Sequence, residues 1–238
     1  MPNFVTSVYT DGWPKDRHAL DGFDCIVMYC DGGGGHMVNP HLDQVDAYAK
    51  QGVGIVCIHY GVEVPAEPAG KKFLDWIGGY FEAHWSVNPH WTAKYTKFPK
   101  HPITQGVQPF EINDEWYYHM RFRPEMKGVT PILTDMPPAS TLVREDGSLA
   151  RPENAHNNNP HVRESVLVRK ELQHMAWAAE REGGGRGFGF TGGHNHWNWG
   201  NPNFRKVVLN AIVWCSQGVV PEGGVNSPEV TLDDLKAN

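Results

Sequence analysis

The chain has 238 residues, and 21 Lys and Arg against 27 Asp and Glu give it a formal net charge of −6. A hydrophobic fraction of 40% and a charged fraction of 20% are typical of a globular chain and exclude extensive disorder. The acidic balance argues against nucleic acid or an anionic membrane as the main partner, because both bind basic surfaces, and no apolar run approaches the ~18 residues of a membrane span.

The N-terminal quarter has the pattern of a βαβ unit. Residues 24–29 form a continuous apolar run that predicts a strand buried on both faces, and residues 53–58 predict a second such strand. Between them, residues 40–51 place apolar side chains at helical spacing, and Gly52 ends the predicted helix. Strand, glycine-rich loop, helix and strand in this order predict a parallel sheet.

The remaining elements follow along one predicted domain, residues 1–224, with a C-terminal tail at residues 225–238. Helices are predicted at residues 71–80, broken at Gly78-Gly79, at residues 203–215, and in a last short turn capped at residues 231–234. Strands are predicted at residues 91–95, 108–112 and 128–133, and a hairpin at residues 174–180 and 186–191. Residues 136–163, rich in Pro, Asn and Arg, predict a long surface loop.

The four cysteines predict buried free thiols. Cys25, Cys30, Cys57 and Cys215 show no C-x-x-C spacing, and three of them lie in or beside apolar runs. A disulfide framework is typical of smaller chains with more cysteine.

Two candidate functional segments follow the predicted strands of the βαβ unit. The first is residues 31–36, DGGGGH, where Gly33 and Gly34 could offer backbone N–H groups to a ligand oxygen. A flexible turn explains the same glycines equally well. The second is His59, which stands where a nucleophile elbow would place its side chain, with Tyr60 and Gly61 after it. The alternative for His59 is a histidine hydrogen-bonded in a loop.

Two further segments combine acidic, aromatic and imidazole groups. Glu115 lies in residues 113–119, NDEWYYH, and either faces a site or pairs with Arg121 or Arg123. Residues 192–199, GGHNHWNW, suit a small polar ligand with an aromatic wall, although Trp side chains also pack in cores. Residues 82–90 are also rich in His and Trp, and a structural role explains them as well as a functional one.

Several long segments occur in the order found in a known family. They are DGWPKD (11–16), CDGGGGH (30–36), GVGIVCIHYGVE (52–63), FLDWIGGYFEAHWSVNPHW (73–91), NDEWYYHMRF (113–122), GRGFGFTGGHNHWNW (185–199) and LNAIVW (209–214). Together they resemble the ThuA-like family, named for trehalose utilisation, within the class I glutamine amidotransferase-like fold. The resemblance implies an α/β three-layer sandwich with a mostly parallel, flavodoxin-like sheet that lacks the family's usual first βα unit.

The resemblance also implies that this chain is not a glutaminase. At the elbow, where glutaminases have a cysteine, the corresponding triplet is His59-Tyr60-Gly61, and Cys57 comes two residues too early. Their His-x-Glu pair corresponds to His194-x-His196, and their oxyanion loop to residues 31–35. Without a thiolate beside a base, an acyl-transfer mechanism has no support.

The resemblance implies that a pocket for a sugar or keto-sugar replaces that chemistry, because members of this family are linked to sugar pathways. His59, Glu115 and His194 are the candidate catalytic residues; His59 and His194 are candidate ligands for Zn, Mn or Fe, and a metal-free acid–base pair is equally compatible. Candidate substrate-binding residues are Gly33, Gly34, Tyr60, His196 and Trp197. Isomerisation, elimination or hydrolysis would each suit this pocket. The alternative is a non-catalytic module that binds carbohydrate or docks a partner.

The expected partners follow from the same interpretation. A small carbohydrate is the predicted ligand, no nucleotide cofactor, nucleic acid or membrane is expected, and a homo-oligomer is compatible with the sequence. The chain as given predicts a cytoplasmic protein, and an exported one if a leader has been removed.

Overall fold

The computed structural model describes residues 4–150 and 158–236. The strands are β1 (Cys25–Tyr29), β2 (Gly54–Ile58), β3 (Gly79–Tyr80), β4 (His90–Tyr95), β5 (Phe110–Glu115), β6 (Arg121–Phe122), β7 (Val129–Asp135), β8 (Gln173–Glu180) and β9 (Arg186–Phe190). The α-helices are α1 (Leu42–Lys50), α2 (Lys71–Ile77), α3 (Pro160–Arg163), α4 (Pro202–Cys215) and α5 (Leu232–Lys236).

A mixed five-stranded sheet in the order β1-β2-β9-β8-β7 is the centre of the fold. The pairs β1–β2 and β2–β9 are parallel, whereas β9–β8 and β8–β7 are antiparallel. The predicted βαβ unit and the predicted hairpin are therefore both confirmed. The strand direction reverses between β9 and β8. The carboxyl ends of β1, β2 and β9 consequently meet at one edge, which is where ligands bind in open α/β sheets.

Helices cover both faces of this sheet, as expected for an α/β sandwich. Helices α1 and α2 pack on one face, where Val45 and Trp76 join side chains of β1 and β2 in a single core cluster. Helix α4 packs on the other face, with Phe204 and Ala211 against side chains of β2 and β9. Its start is fixed by Asn201, whose Oδ1 accepts hydrogen bonds from the next turn, and by Pro202 at the first helical position.

Strand β1 corrects the expectation that this run is buried on both faces. Ile26 and Met28 are buried, but Val27 and Tyr29 are 42% and 50% exposed. Among the described residues β1 pairs only with β2, so it is an edge strand, and α4 lies mainly over β2 and β9. A continuous apolar run does not reveal which strand lies at the edge.

Residues 136–163 are a second correction, because the described part is not simply a surface loop. Leu142 and Val162 are 1% and 0% exposed and belong to the main core cluster, and α3 begins at Pro160. Its cap is Asn159, whose side chain accepts from the backbone N–H of Val162. The part of this prediction that covers residues 151–157 lies outside the described residues.

Two small antiparallel sheets and the tail complete the fold. The hairpin β4–β5 pairs His90 with Glu115 and lies on the α4 side, and β3 pairs with β6. The tail runs along α4, where the N–H of Val225 donates to Asn210 at 2.7 Å, and Thr231 caps α5 as predicted. In the part of the chain that is described, no helix combines the length and apolarity needed to cross a membrane.

Candidate functional site

Three chain segments reach the same edge of the sheet. Strand β2 ends at Ile58 and continues into a 3₁₀ turn, His59–Val62. Strand β9 ends at Phe190 and leads through residues 191–195 to a second 3₁₀ turn, His196–Gly200. Strand β5 ends with Glu115. The backbone of His59 is left-handed, with φ 52°, which turns its side chain out of the direction of the strand.

The predicted catalytic residues form one cluster at this edge. Nε2 of His59 lies 3.5 Å from Oε2 of Glu115, and Nδ1 of His194 lies 3.0 Å from the same oxygen. The two imidazole ring centroids are 5.3 Å apart. The structure thus brings together residues that are separated by 135 positions in the chain (from 59 to 194).

His59 is held in one tautomer by its surroundings. Its Nδ1–H donates to the carbonyl oxygen of Thr191 at 3.0 Å, which leaves the lone pair of Nε2 directed towards Glu115. The hydroxyl of Tyr117 donates to this Nε2 at 3.2 Å. Burial lowers the pKa of His59, so the neutral imidazole, which can accept a proton or bind a cation, is favoured.

Tyr117 also belongs to this site, although no sequence pattern identified it as a site residue. Burial, and then the negative charges of Glu115 and Glu63, raise the pKa of its hydroxyl, so this phenol stays neutral and acts as a donor. Its side chain is only 3% exposed. Tyr117 therefore orients the ring of His59 from the interior of the protein and does not face solvent.

A hydrogen bond to the second carboxylate oxygen holds Glu115 in place. Nδ2 of Asn88 donates to Oε1 of Glu115 at 2.9 Å, and the side chain is 14% exposed. Glu115 does not pair with either arginine that the sequence offered. Arg121 binds Glu82 at 2.9 Å, and Arg123 donates to backbone carbonyls. The carboxylate is therefore available to the two imidazoles.

His194 forms the open side of the cluster, with 48% of its side chain exposed. The ring of His90 stands edge-on to it, with ring centroids 4.9 Å apart. His90 lies directly opposite Glu115 in the β4–β5 pair, so both side chains project from the same face of this hairpin. The position of His90 follows from the register of this strand pair, and the sequence alone does not give that register.

The predicted substrate-binding residues lie on three segments, namely the glycine loop, the turn after β2 and the turn that follows His194. The ring of Tyr60 packs on Gly32, and the N–H of Gly33 donates to the carbonyl of Glu63 at 2.9 Å, so the glycine loop is tied to the 59–63 turn. His196 and Trp197 are exposed in the turn after His194, and Trp197 is 61% exposed. Their roles, like that of Gly34, stay predictions.

The cluster has the donor set of a transition-metal site. The candidate ligand atoms of His59, Glu115 and His194 lie within 4.8 Å of one another. Two imidazoles and one carboxylate suit Zn, Mn or Fe, and metal-binding histidines commonly donate their second ring N–H to a backbone carbonyl, as His59 does to Thr191. The residues present therefore fit such an ion, provided that Tyr117 yields its contact to Nε2.

The thiols lie apart from this cluster. All four cysteines are free, and Cys57 is 0% exposed in the core between β2 and the α1–α2 layer. Burial raises the pKa of Cys57 well above its usual range, and burial also raises the pKa of Cys30 to about 11. The predicted absence of a thiolate nucleophile at the elbow agrees with this geometry.

Thiol labelling tests this assignment. Cys57 and Cys215 are buried as predicted, whereas Cys25 and Cys30 are only half-buried. We still expect essentially no reaction of the folded protein with a disulfide reagent at pH 8 within minutes, because burial raises the pKa values of all four thiols and keeps the thiolate fraction low. All four thiols should react after unfolding in guanidinium. Rapid labelling of Cys57 in the folded protein, found by peptide mass analysis, would contradict the assignment and restore a cysteine hydrolase as a candidate.

Comparisons with known proteins agree with this architecture. A search of curated proteins finds no match. A solved ThuA-like protein from Bacteroides uniformis ATCC 8492 aligns with a TM-score of 0.55 and 15% identity, over 84% of this chain and 71% of that one, which shows the fold. The family described as ThuA, trehalose utilisation, matches residues 4–215. Since this match covers most of its length, the chain belongs to the ThuA family, whose description points to a carbohydrate-related role.

Proposed function

We propose that this protein is a carbohydrate-active enzyme that moves a proton on a sugar or keto-sugar at the His59–Glu115–His194 cluster. The observation that carries the proposal is the convergence of both imidazoles on one oxygen of Glu115, at 3.5 and 3.0 Å. The family description, trehalose utilisation, supports a carbohydrate as the ligand.

The chemistry of a keto-sugar suits these groups. A proton on the carbon beside a carbonyl is acidic, and its removal leaves negative charge on the carbonyl oxygen. Without a metal ion, neutral His59, which burial favours, can take this proton, and Oε2 of Glu115 lies 3.5 Å from its Nε2. Isomerisation and elimination both begin with this step, so the cluster is compatible with either.

With a divalent metal ion bound, these side chains would act as ligands and not as bases, because the lone pair of Nε2 of His59 cannot both take a proton and bind the ion. Nε2 of His59, Oε2 of Glu115 and Nδ1 of His194 would hold it, with both ring nitrogens unprotonated. Bound there, the ion would polarise a substrate carbonyl. The exposed side of His194 leaves room for substrate on the solvent side.

The alternative is a module that binds carbohydrate without turning it over. The observation that favours it is the exposed aromatic surface beside the cluster, with Trp197 61% and Tyr29 50% exposed. Aromatic faces of this kind can stack on sugar rings.

The substitution His59→Asn separates the two functions, with a 3-keto-glycoside as the probe. Asparagine tolerates the left-handed backbone at this position and removes the imidazole. We expect turnover to fall by about 10²–10⁴-fold, and metal content, measured by elemental analysis, to fall with it. The matched control is His18→Asn, at an exposed histidine that pairs with Asp21 on the surface. This variant should keep the turnover and the metal content of the wild type.

The outcomes distinguish the candidates. Wild-type protein that binds the probe calorimetrically but never converts it supports the binding module. Turnover that is unchanged in His59→Asn contradicts the proposed catalytic cluster.

A further inference from the structure

The strand that ends with Glu115 carries a second carboxylate that points the other way. Successive side chains of a strand face opposite sides, so Asp114 projects into the interior while Glu115 projects into the site. Asp114 is 0% exposed. A buried carboxylate is costly unless its oxygens are hydrogen-bonded, so its partners indicate what it is for.

Those partners are the backbone and side chains around His194. Oδ2 of Asp114 accepts from the N–H of Gly193 at 2.8 Å and from Nδ2 of Asn198 at 3.0 Å. Oδ1 accepts from the N–H of Asn195 at 3.1 Å and from the N–H of Glu115 at 2.8 Å. The two backbone donors from the loop flank His194 on either side.

The loop that carries His194 has no regular structure to hold it. Residues 191–195 connect β9 to the 3₁₀ turn, and Gly193 has a φ of 112°, a conformation that side chains rarely adopt. The start of the loop is held at Thr191, by hydrogen bonds to Met175, Tyr117 and His59. Further along, apart from Asp114, it is held by the hydroxyl of Tyr29, which donates to the carbonyl of Gly193 at 2.6 Å, and by the amides of Asn195 and Asn198, which donate to the carbonyl of Asn113. Asp114 is the carboxylate of this set, and it accepts from two backbone N–H groups of the loop and from the side chain of Asn198 in the turn that follows.

We propose that Asp114 is a positioning residue that sets the distance between His194 and Glu115 by clamping residues 193–198 to the end of β5. The inference rests on the proposed function, because that function needs both groups on one ligand. Asp114 does not touch the substrate; it acts through the loop. Charge-assisted hydrogen bonds to a buried carboxylate are stronger than neutral ones, so the clamp is stiff.

The substitution Asp114→Asn is the direct test. It keeps the shape of the side chain but turns one acceptor oxygen into an N–H₂ donor, which then faces N–H groups that can only donate. Co²⁺ alone is the first probe, because its visible spectrum reports the ligand geometry. We expect Asp114→Asn to bind Co²⁺ about 10–100-fold more weakly, as is common for outer partners of metal ligands, with a spectrum shifted towards that of His194→Ala.

A matched control comes from another carboxylate that holds backbone N–H groups. Asp135 accepts from the N–H groups of Lys94 and Met136, at 2.7 and 2.8 Å, on strand β7. Asp135→Asn should leave Co²⁺ affinity and spectrum unchanged. If Asp114→Asn does not fold, Asn198→Ala removes one donor to Asp114, together with the hydrogen bond to the carbonyl of Asn113, and adds no opposed donor. This variant should weaken Co²⁺ binding less but in the same direction.

A metal-free measurement keeps this inference separate from the proposed function. Imidazole ¹⁵N NMR reports the surroundings of Nδ1 of His194, which lies 3.0 Å from Oε2 of Glu115, and the signal in Asp114→Asn should move to its position in Glu115→Gln. Wild-type protein that binds no Co²⁺ overturns the metal part of the proposed function, and the NMR comparison still decides the role of Asp114. The clamp is overturned if folded Asp114→Asn binds Co²⁺ with wild-type affinity, or if its His194 signal does not shift. The same two outcomes apply to Asn198→Ala if that variant takes its place.

Discussion

Replacing Glu115 with glutamine is expected to reduce turnover of a keto-sugar by at least about 10³-fold, within the range found for general acid–base residues. Glutamine has nearly the same shape, but it removes the negative charge on which His59 and His194 converge. The same change should abolish stoichiometric metal binding, because an amide is a much poorer ligand than a carboxylate for Zn, Mn or Fe. Steady-state kinetics and elemental analysis of the purified variant measure the two effects.

Glu111 provides the matched control on the same strand. Its side chain is 57% exposed and pairs with Lys94 at 3.1 Å, on the opposite end of β5 from the site. Glu111→Gln should change turnover and metal content little, since exposed ion pairs contribute about 0–1 kcal/mol to stability. If Glu115→Gln behaves like Glu111→Gln, the carboxylate has no part in the reaction.

The largest loss of stability is expected from Trp116→Ala. Trp116 is 0% exposed, and its ring lies against those of Tyr95, Phe190 and Phe204, at centroid distances of 5.3, 5.6 and 5.9 Å. Removing so large a buried side chain leaves a cavity, and such changes cost about 3–5 kcal/mol in the free energy of unfolding. Urea denaturation followed by circular dichroism measures this loss.

The exposed Trp197 is the control for that experiment. Its side chain is 61% exposed, so Trp197→Ala should change the free energy of unfolding by no more than about 0.5 kcal/mol. Equal losses in the two variants would mean that Trp116 is not the packing centre that its contacts indicate.

The sequence predicted the parts of this fold that local patterns encode. Strands β1 and β2, helices α1 and α4 and the β8–β9 hairpin follow from runs of apolar residues, their spacing and glycine turns. The meeting of His59 with His194 was predictable as well, because both follow strands whose carboxyl ends share one edge of a parallel sheet.

The rest depends on which segments become neighbours, and a local pattern does not contain that information. His90 reaches the site through its register opposite Glu115, and Asn88 and Tyr117 through side-chain contacts made only in the folded chain. The exposed face of β1 follows from its place at the edge of the sheet. Leu142 and Val162 belong to irregular segments, where buried apolar residues show no period.

The left-handed backbone at His59 limits what can be changed at this site. At a φ of 52° a β-branched side chain would strain the backbone, whereas histidine, asparagine and aspartate adopt this conformation more readily. Here this position holds the imidazole of His59. The turn after β2 therefore restricts position 59 to residue types that adopt this backbone conformation, whatever else in the surrounding site is changed.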